Sequence, residues 1–571
     1  MVSPKKHIEN IVPYPVEPEI DWDLKLDFNE NLIGPSPKVL KAIKNIDVKK
    51  IKFYPTYDAL LNAIASYNKV APESILAVNG TDEGYRYIFD AYCSYGDNIL
   101  TVTPAFSMPK IYAEIAHCNY KEVPYTEKWK FPIDAFLEEI SADTKMLIVT
   151  SPNSPTGDLI SDEHLKLIIE KASDSLVVID ETYATYANKT YVHYPEQYKN
   201  VLVLKSMSKD FATAGLRLGY MVGRKEVIAN VKRIASPYSV NSIAAVAGVA
   251  ALDDVKHVET VKKEVAKSKK YLEKELVPYA QQVFPSETNF LCVDFGKRAK
   301  YYYKKLLRNN IKVKLLSGIV ENCFRITVPK LSDAKKIVKV ISSKKDLIIF
   351  DMDGVLVDAS KSYRIAIQKT FAFFAKQEVS LDEIQALKNQ GGYNNDWILT
   401  HKLLLDQKVN VKYETVVEKF NEFYFGDNGN GLISNEEWLI SPAELKKLSD
   451  KYNLAIFTGR QSEEALFALR KAGVEDLFEP IITMDDLEQN EQKPSPKGIE
   501  IIKEILKPKK CWYLGDTIDD MKAGVSASVN AIGILPPQDK SNELETILKN
   551  QGAVVVLNSA KELFNYLEKC R

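Results

Sequence analysis

Cysteine, histidine and any excess of one charge are scarce in this chain of 571 residues, and each shortage closes off a class of function. Its six cysteines (Cys93, Cys118, Cys292, Cys323, Cys511 and Cys570) are scattered, with no CxxC pair. No disulfide framework or thiolate zinc site is expected, and the thiols read as reduced. The six histidines form no HExxH or HxxxH cluster. Lys+Arg total 76 against 77 for Asp+Glu, a net charge of -1. The basic excess of a dedicated nucleic-acid binder is therefore missing. No apolar run approaches the roughly 18 residues of a membrane span. The opening segment MVSPKKHIENIVPYPVEPE lacks the apolar core of a secretory signal. No segment repeats at a fixed period. The remaining expectation is a cytoplasmic, multidomain enzyme or binding protein that uses neither nucleic acid nor membrane.

What is present is a long alternation of strand-like and helical patterns. The length alone suggests about three to four domain-sized units, because single cores stop growing beyond roughly 250–300 residues. Continuous β-branched or leucine-rich runs occur at SILAV (74–78), NILTVT (98–103), MLIVT (146–150), LVVID (176–180) and VLVLK (201–205). Each is followed by a polar turn and a helical stretch, the sequence form of buried parallel strands in an α/β fold. LSDAKKIVKVISSKKD (331–346) reads as a closing helix capped by Ser332, then a short joint. A second α/β series begins at once with DLIIFDMDG (346–354). It continues through LAIFTGR (454–460), CWYLGDT (511–517), AIGIL (531–535) and AVVVL (553–557). Between its first two strands, about 358–440, the pattern is helical.

Four segments of the first series belong together. SPNSPTG (151–157) follows one strand and carries Asn153 in a tight turn. LVVIDETYATY places Asp180 at a strand end and Tyr183 three residues on. SMSKDFATAGLRLGY (206–220) carries Ser206, Ser208, Lys209 and Arg217. NGTDEGYRY (79–87) is a turn opening a helix, whose free N–H groups at Thr81 and Asp82 can hold a phosphate.

In this order, each beside a strand, they resemble the fold-type I pyridoxal-phosphate aminotransferases. The resemblance implies a large, mostly parallel sheet with a small α/β subdomain over residues 1–345. It implies Lys209 as the amine that carries the cofactor and shuttles a proton. Asp180 would keep the pyridine nitrogen protonated, and Asn153 and Tyr183 would hold the ring oxygen. Ser206, Ser208 and Arg217, with the N–H groups of Thr81 and Asp82, would hold the phosphate. Phe106, in TPAFSMP, would stack on the ring, although the same residue also fits a plain core position.

Within that superfamily, LDFNENLIGPSPKVLKAI (26–43), FYPTYDALLNAIASY (53–67) and ENCFRITV (321–328) resemble segments of histidinol-phosphate aminotransferases. The implied roles are substrate-anion binding for Arg325, a reach to the neighbouring cofactor phosphate in a homodimer for Tyr54, and a place in the substrate pocket for Tyr14. The family's second phosphate-gripping arginine is missing. Lys314, in NNIKVKLLSG, is the nearest cation, a point charge where the family has a bidentate fork.

In the second series, FDMDGVLVD (350–358), Thr458, Lys493 in QKPSPKG, and YLGDTIDD with Asp516 and Asp520 stand in that order. The set resembles the haloacid-dehalogenase superfamily, subfamily I, implying a Rossmann-like domain over 346–571 with a helical cap. Asp351 would be the nucleophile and Asp353 the general acid and base. Mg²⁺ would be held by Asp351, the Asp353 carbonyl and Asp516. Thr458 and Lys493 would hold phosphate oxygens, with Asp520 orienting Lys493. KNQGGYNNDWILTHK (388–402) reads either as a substrate-reading loop or as a plain connection.

The pairing implies a bifunctional enzyme of histidine biosynthesis, acting on small phosphorylated substrates with glutamate as amino donor. Two other readings stay open: a first half that is threonine-phosphate decarboxylase-like or another amino-acid aminotransferase, fused to a phosphatase of different substrate, and one half retained only for regulation or dimerisation.

Overall fold

The computed structural model describes residues 2, 6–14, 20–316, 320–388, 393 and 395–569. The chain divides into two units, Met1–Ser342 and Ser343–Arg571.

The strands of the first unit are β1 (Leu24–Leu26), β2 (Ile75–Val78), β3 (Asn98–Thr103), β4 (Asn119–Pro124), β5 (Thr144–Thr150) and β6 (Leu176–Asp180). They continue with β7 (Val201–Ser206), β8 (Gly219–Gly223), β9 (Gln282–Val283), β10 (Phe290–Asp294), β11 (Ile311–Leu315) and β12 (Cys323–Thr327). Seven build one sheet in the order β2-β8-β7-β6-β5-β3-β4. Its pairings are parallel except those of β8, which runs antiparallel to β2 and β7. Along β6, Val177 and Ile179 enter one apolar cluster, while Leu176 and Val178 enter another. Both faces of the sheet are covered, which is why these strands read as unbroken apolar runs. The parallel strands β5, β6 and β7 end at Thr150, Asp180 and Ser206, and their following turns gather at one edge. That carboxyl edge is where open α/β sheets place their ligands.

A second sheet, β1-β11-β12-β10-β9, forms from the two ends of the unit. Antiparallel pairing sets Lys314 of β11 directly across from Arg325 of β12. The closing helix runs Leu331–Ser342. It therefore starts one residue before Ser332, which lies inside the first turn and is not its cap. The carbonyl of Lys330 accepts the N–H groups of Asp333 and Ala334 and opens the helix instead.

The second unit contains β13 (Leu347–Phe350), β14 (Val357–Asp358), β15 (Glu437–Trp438), β16 (Asn453–Phe457), β17 (Phe478–Ile482), β18 (Cys511–Gly515), β19 (Asn530–Ile534) and β20 (Val555–Leu557). Six form a parallel sheet, β17-β16-β13-β18-β19-β20, with β13 inside it. β14 and β15 pair with each other at the base of an inserted helical domain. Its helices Tyr363–Ala375, Leu381–Lys388, Asp396–Asp406 and Tyr413–Tyr424 share a core of their own around Phe371, Leu399, Val416 and Phe420. Residues 389–392 and 394 of the expected substrate-reading loop lie outside the described residues, as does Cys570. Among the described residues no helix is long and apolar enough to cross a membrane. The other five cysteines are free thiols.

Candidate active sites

The first site lies at the carboxyl edge of the large sheet. Asp180 ends β6 and is buried. Its Oδ2 accepts the Tyr85 hydroxyl at 2.7 Å, and its Oδ1 accepts the Thr182 N–H at 2.9 Å and hydroxyl at 2.6 Å. Burial raises its pKa, partly offset by those hydrogen bonds. Lys209 is half-buried after β7, its Nζ donating to the Phe28 carbonyl at 2.6 Å. Burial, and next the Arg325 charge, lower its amine to about 8. That leaves a substantial neutral fraction near neutral pH, as a nucleophilic amine needs.

Asn153 is fully buried. Its Nδ2 donates to Pro104 O and Thr156 Oγ1, both at 3.0 Å, while its Oδ1 has no partner. The Tyr183 hydroxyl accepts from Asn29 Nδ2 at 2.8 Å. Phe106 is half-buried in the turn after β3, against the core. The helix Gly80–Tyr92 presents Thr81 and Asp82 in its first turn. Arg217 Nη2 donates to the Asp82 carboxylate at 2.9 Å. Gly80 has φ +80°, and a Cβ there would sit 2.6 Å from Arg217 Nη2. Only glycine lets the guanidinium lie against this helix start. The Ser206 hydroxyl accepts the Ser208 N–H at 3.1 Å.

Arg325 spans from the small sheet towards this edge. Its Nη1 donates to Ser154 Oγ at 3.1 Å and its Nη2 to Asp27 O at 2.7 Å, while its buried Nε has no partner. Tyr54 is elsewhere, 78% exposed and stacked on Tyr238 at 4.6 Å. Tyr14 is also exposed, on the N-terminal segment. The remaining groups fit pyridoxal phosphate: an amine of lowered pKa, a buried carboxylate, an amide oxygen without a partner, and a helix start beside an arginine.

The second site caps the parallel sheet of the second unit. Asp351 follows β13, Thr458 follows β16 and Asp516 follows β18. Lys493 Nζ lies 2.6 Å from Asp351 Oδ1 and 2.7 Å from Asp520 Oδ1. Asp520 is fully committed. Its Oδ1 also accepts the Tyr513 hydroxyl at 2.6 Å, and its Oδ2 accepts the Thr517 hydroxyl at 2.6 Å and N–H at 3.1 Å. Asp516 Oδ1 has no hydrogen-bond partner. Burial first, then the charges of Asp520, Asp351 and Asp353, push Asp516 well up. Burial also raises Asp351, against the pull of Lys493.

Carboxylate oxygens of Asp351, Asp516 and Asp520 lie within 4.8 Å of one another. Such crowding favours a divalent cation. Because Asp520 holds Lys493, Asp351 and Asp516 are the pair suited to the ion. The buried Thr458 hydroxyl accepts the Arg460 N–H at 3.3 Å.

Asp353 is gripped by Arg460, whose Nη2 lies 2.5 Å from Asp353 Oδ1. The same guanidinium donates to Glu436 Oε2 at 2.9 Å and Oε1 at 3.0 Å, at the end of the helical insert.

The aminotransferase class I and II family matches residues 23–341. The chain belongs to this family. Residues 348–534 match the haloacid dehalogenase-like hydrolase family. The histidinol-phosphate aminotransferase of Clostridium beijerinckii is 33% identical over 330 residues, covering 57% of this chain and 91% of that protein. Histidinol-phosphate aminotransferase from Sinorhizobium meliloti, solved with pyridoxal-5'-phosphate, is 21% identical. It superposes with a TM-score of 0.54 over 59% of this chain and 97% of its own. L-threonine-O-3-phosphate decarboxylase from Porphyromonas gingivalis shares the fold at a TM-score of 0.50 and 20% identity, over 56% of this chain and 98% of its own.

Three residues of this aminotransferase–hydrolase that hold others in place, Tyr85, Asn29 and Arg460, were not expected from the sequence. Tyr85 and Asn29 sit inside segments already singled out, NGTDEGYRY and LDFNENLIGPSP. Arg460 closes the segment read only for Thr458. Its signal was a guanidinium at the end of a buried strand, where such a charge needs paired carboxylates. Arg460→Met leaves Glu436 and Asp353 without their cation. The hydrolase unit is expected to lose about 3–5 kcal/mol of unfolding free energy, measured by urea denaturation.

Proposed function

We propose that the chain catalyses two consecutive reactions. Its aminotransferase unit transfers an amino group from glutamate to imidazole-acetol phosphate, giving histidinol phosphate. Its hydrolase unit then releases inorganic phosphate to give histidinol. The observation that carries the first half is the Lys314–Arg325 pair across β11 and β12. Like charges directly opposite on one sheet face repel, so the pair favours a substrate with a phosphate or carboxylate to set between them. Relatives of the same unit are histidinol-phosphate aminotransferases.

In the aminotransferase unit, pyridoxal phosphate would supply the electron sink. Lys209 Nζ holds it and then moves the proton that the substrate carbon loses and regains. Asp180 keeps a proton on the pyridine nitrogen, helped by Tyr85 and Thr182. Asn153 and Tyr183 position the ring oxygen and Phe106 covers a ring face. Ser206, Ser208, Arg217 and the first turn at Thr81 and Asp82 take the phosphate. Arg325 and Lys314 bind the glutamate carboxylate and the substrate phosphate in turn. Tyr54, exposed on its own chain, suits a reach to the cofactor phosphate of a second copy in a homodimer, and Tyr14 suits the rim of the substrate pocket.

In the hydrolase unit, Asp351 attacks phosphorus. Asp353 protonates the leaving oxygen and then takes a proton from water, with Arg460 fixing its position. Lys493 and Thr458 hold phosphate oxygens. Mg²⁺, held by Asp351, Asp516 and the Asp353 carbonyl, would offset the repulsion between nucleophile and phosphate.

The test is a single incubation of the full chain with imidazole-acetol phosphate, glutamate, pyridoxal phosphate and Mg²⁺. Histidinol phosphate should rise first, followed by histidinol and inorganic phosphate in equal amounts. No histidinol phosphate from this mixture, with carbon dioxide released instead from threonine phosphate in a parallel incubation, would overturn the first step. Histidinol phosphate accumulating without phosphate release would overturn the second.

A further inference from the structure

Three consecutive residues of the N-terminal segment each touch a different group of the aminotransferase site. The Asp27 carbonyl accepts Arg325 Nη2 at 2.7 Å, the Phe28 carbonyl accepts Lys209 Nζ at 2.6 Å, and Asn29 Nδ2 donates to the Tyr183 hydroxyl at 2.8 Å. The first two contacts use only the backbone of this segment. Asn29 alone acts through its side chain. It is 1% exposed and sits at φ +55°, a left-handed position that asparagine tolerates better than most residues. The small sheet holds it there. Its N–H donates to Thr327 Oγ1 at 3.0 Å, at the end of β12, and its carbonyl accepts Asn289 Nδ2 at 2.9 Å, just before β10. Thr327 Oγ1 donates in turn to the carbonyl of Leu26, in β1, at 2.8 Å. Both backbone groups of Asn29 are therefore fixed before its amide reaches Tyr183.

A phenol has one proton to give and lone pairs to receive. Asn29 occupies the oxygen, so the hydroxyl proton is directed away from it. We infer that Asn29 is a positioning residue of the aminotransferase site: it aims the Tyr183 proton at the cofactor's ring oxygen, and so sets how tightly the lysine-bound cofactor holds its own proton. The inference rests on the pyridoxal phosphate reading of this site and adds a residue that acts through Tyr183. Ser154 stands near enough to Tyr183 to compete for the phenol proton. A negatively charged ring oxygen outbids that neutral hydroxyl, because a charge-assisted hydrogen bond is roughly twice as strong. Without Asn29 the phenol turns, and the ring oxygen loses a donor. Its charge then holds the proton on the neighbouring nitrogen more firmly, and a higher pH is needed to remove it.

The experiment uses the full chain reconstituted with pyridoxal phosphate, with no substrate. Absorbance across a pH series reads the fraction in the yellow, protonated form. Asn29→Gly keeps the left-handed backbone and deletes the amide. Its midpoint should rise by roughly one pH unit, the scale of one hydrogen bond to a charged group. Asn29→Asp also tolerates that backbone and draws the phenol proton to the introduced carboxylate, so its midpoint should rise at least as far. This variant carries the test if glycine loosens the fold. The other charged groups facing the pair are the same in every sample: Arg325 and Asp180 beside Tyr183, and Arg325, Glu30, Arg217 and Asp82 around Lys209. Tyr183→Phe should raise the midpoint by itself. Asn29→Gly should then add nothing, because the two residues act as one unit. Equal shifts from Asn29→Gly with and without the Tyr183 hydroxyl would overturn the inference. So would an unchanged midpoint in a folded, cofactor-loaded Asn29→Gly protein. A wild type that takes up no pyridoxal phosphate would overturn the cofactor reading itself, and this inference with it.

Discussion

Replacing Lys209 by alanine is expected to lower transamination by roughly 10⁴-fold or more, the scale of losing a catalytic group that acts as part of a unit. Phosphate release from histidinol phosphate should stay at the wild-type rate. Transamination is lost because Lys205 cannot stand in for Lys209. Lys205, four residues earlier, is buried and bound to Glu181 at 2.8 Å, which holds its charge on. A readout independent of turnover is mass spectrometry after borohydride treatment with pyridoxal phosphate. The wild type should gain one cofactor mass on the peptide carrying Lys209, and the variant none. The pH dependence has a definite sign. Burial lowers the folded-state amine to about 8 from an ordinary 10.5. The neutral, reactive fraction therefore grows as pH rises and saturates above about 8. Cofactor capture should climb up to that pH and then level off. A capture rate still rising towards 10.5 would show that Lys209 is not desolvated as described.

Asp351→Asn is expected to remove phosphate release by a comparable factor, roughly 10⁴-fold or more, and to leave transamination intact. Asparagine keeps the shape but loses the anionic oxygen proposed to attack phosphorus and the charge that pairs with Lys493. Lys493 would then be held by Asp520 alone. Release of inorganic phosphate measures the loss, and amino transfer from glutamate in the same sample provides the control. Loss of both activities in a folded Asp351→Asn protein would contradict independent sites.

The buried interior strands were the legible part of the fold. β3, β5, β6 and β7 are covered on both faces and appear as unbroken apolar runs. β4 and β17 were not visible, and both are sheet edges. β4 is NYKEVP, with only Val123 buried, and β17 is FEPII, with a proline that an edge position tolerates. β8, GYMVG, is central but short and bounded by glycines. At the sites, residues at strand ends, such as Asp180, Asp351 and Asp516, could be read from local pattern. Tyr85 and Arg460 could not be placed by pattern, because their partners lie 95 and 107 residues away in the chain. Lys314 was visible only as a substitute for a missing arginine, and the antiparallel register is what sets it opposite Arg325.

The helical insert is bounded by a two-stranded ribbon of its own, separate from the six-stranded sheet, in which Val357 pairs with Trp438 and Asp358 with Glu437. Its two ends are therefore about one strand spacing apart, near 5 Å. A segment anchored in this way behaves as an exchangeable cassette. Its length, helices and inner surface can diverge without shifting the register of β13, on which Asp351 depends. Substrate choice can thus drift by replacement of one closed loop of chain, while the phosphoryl-transfer machinery beneath it is inherited unchanged.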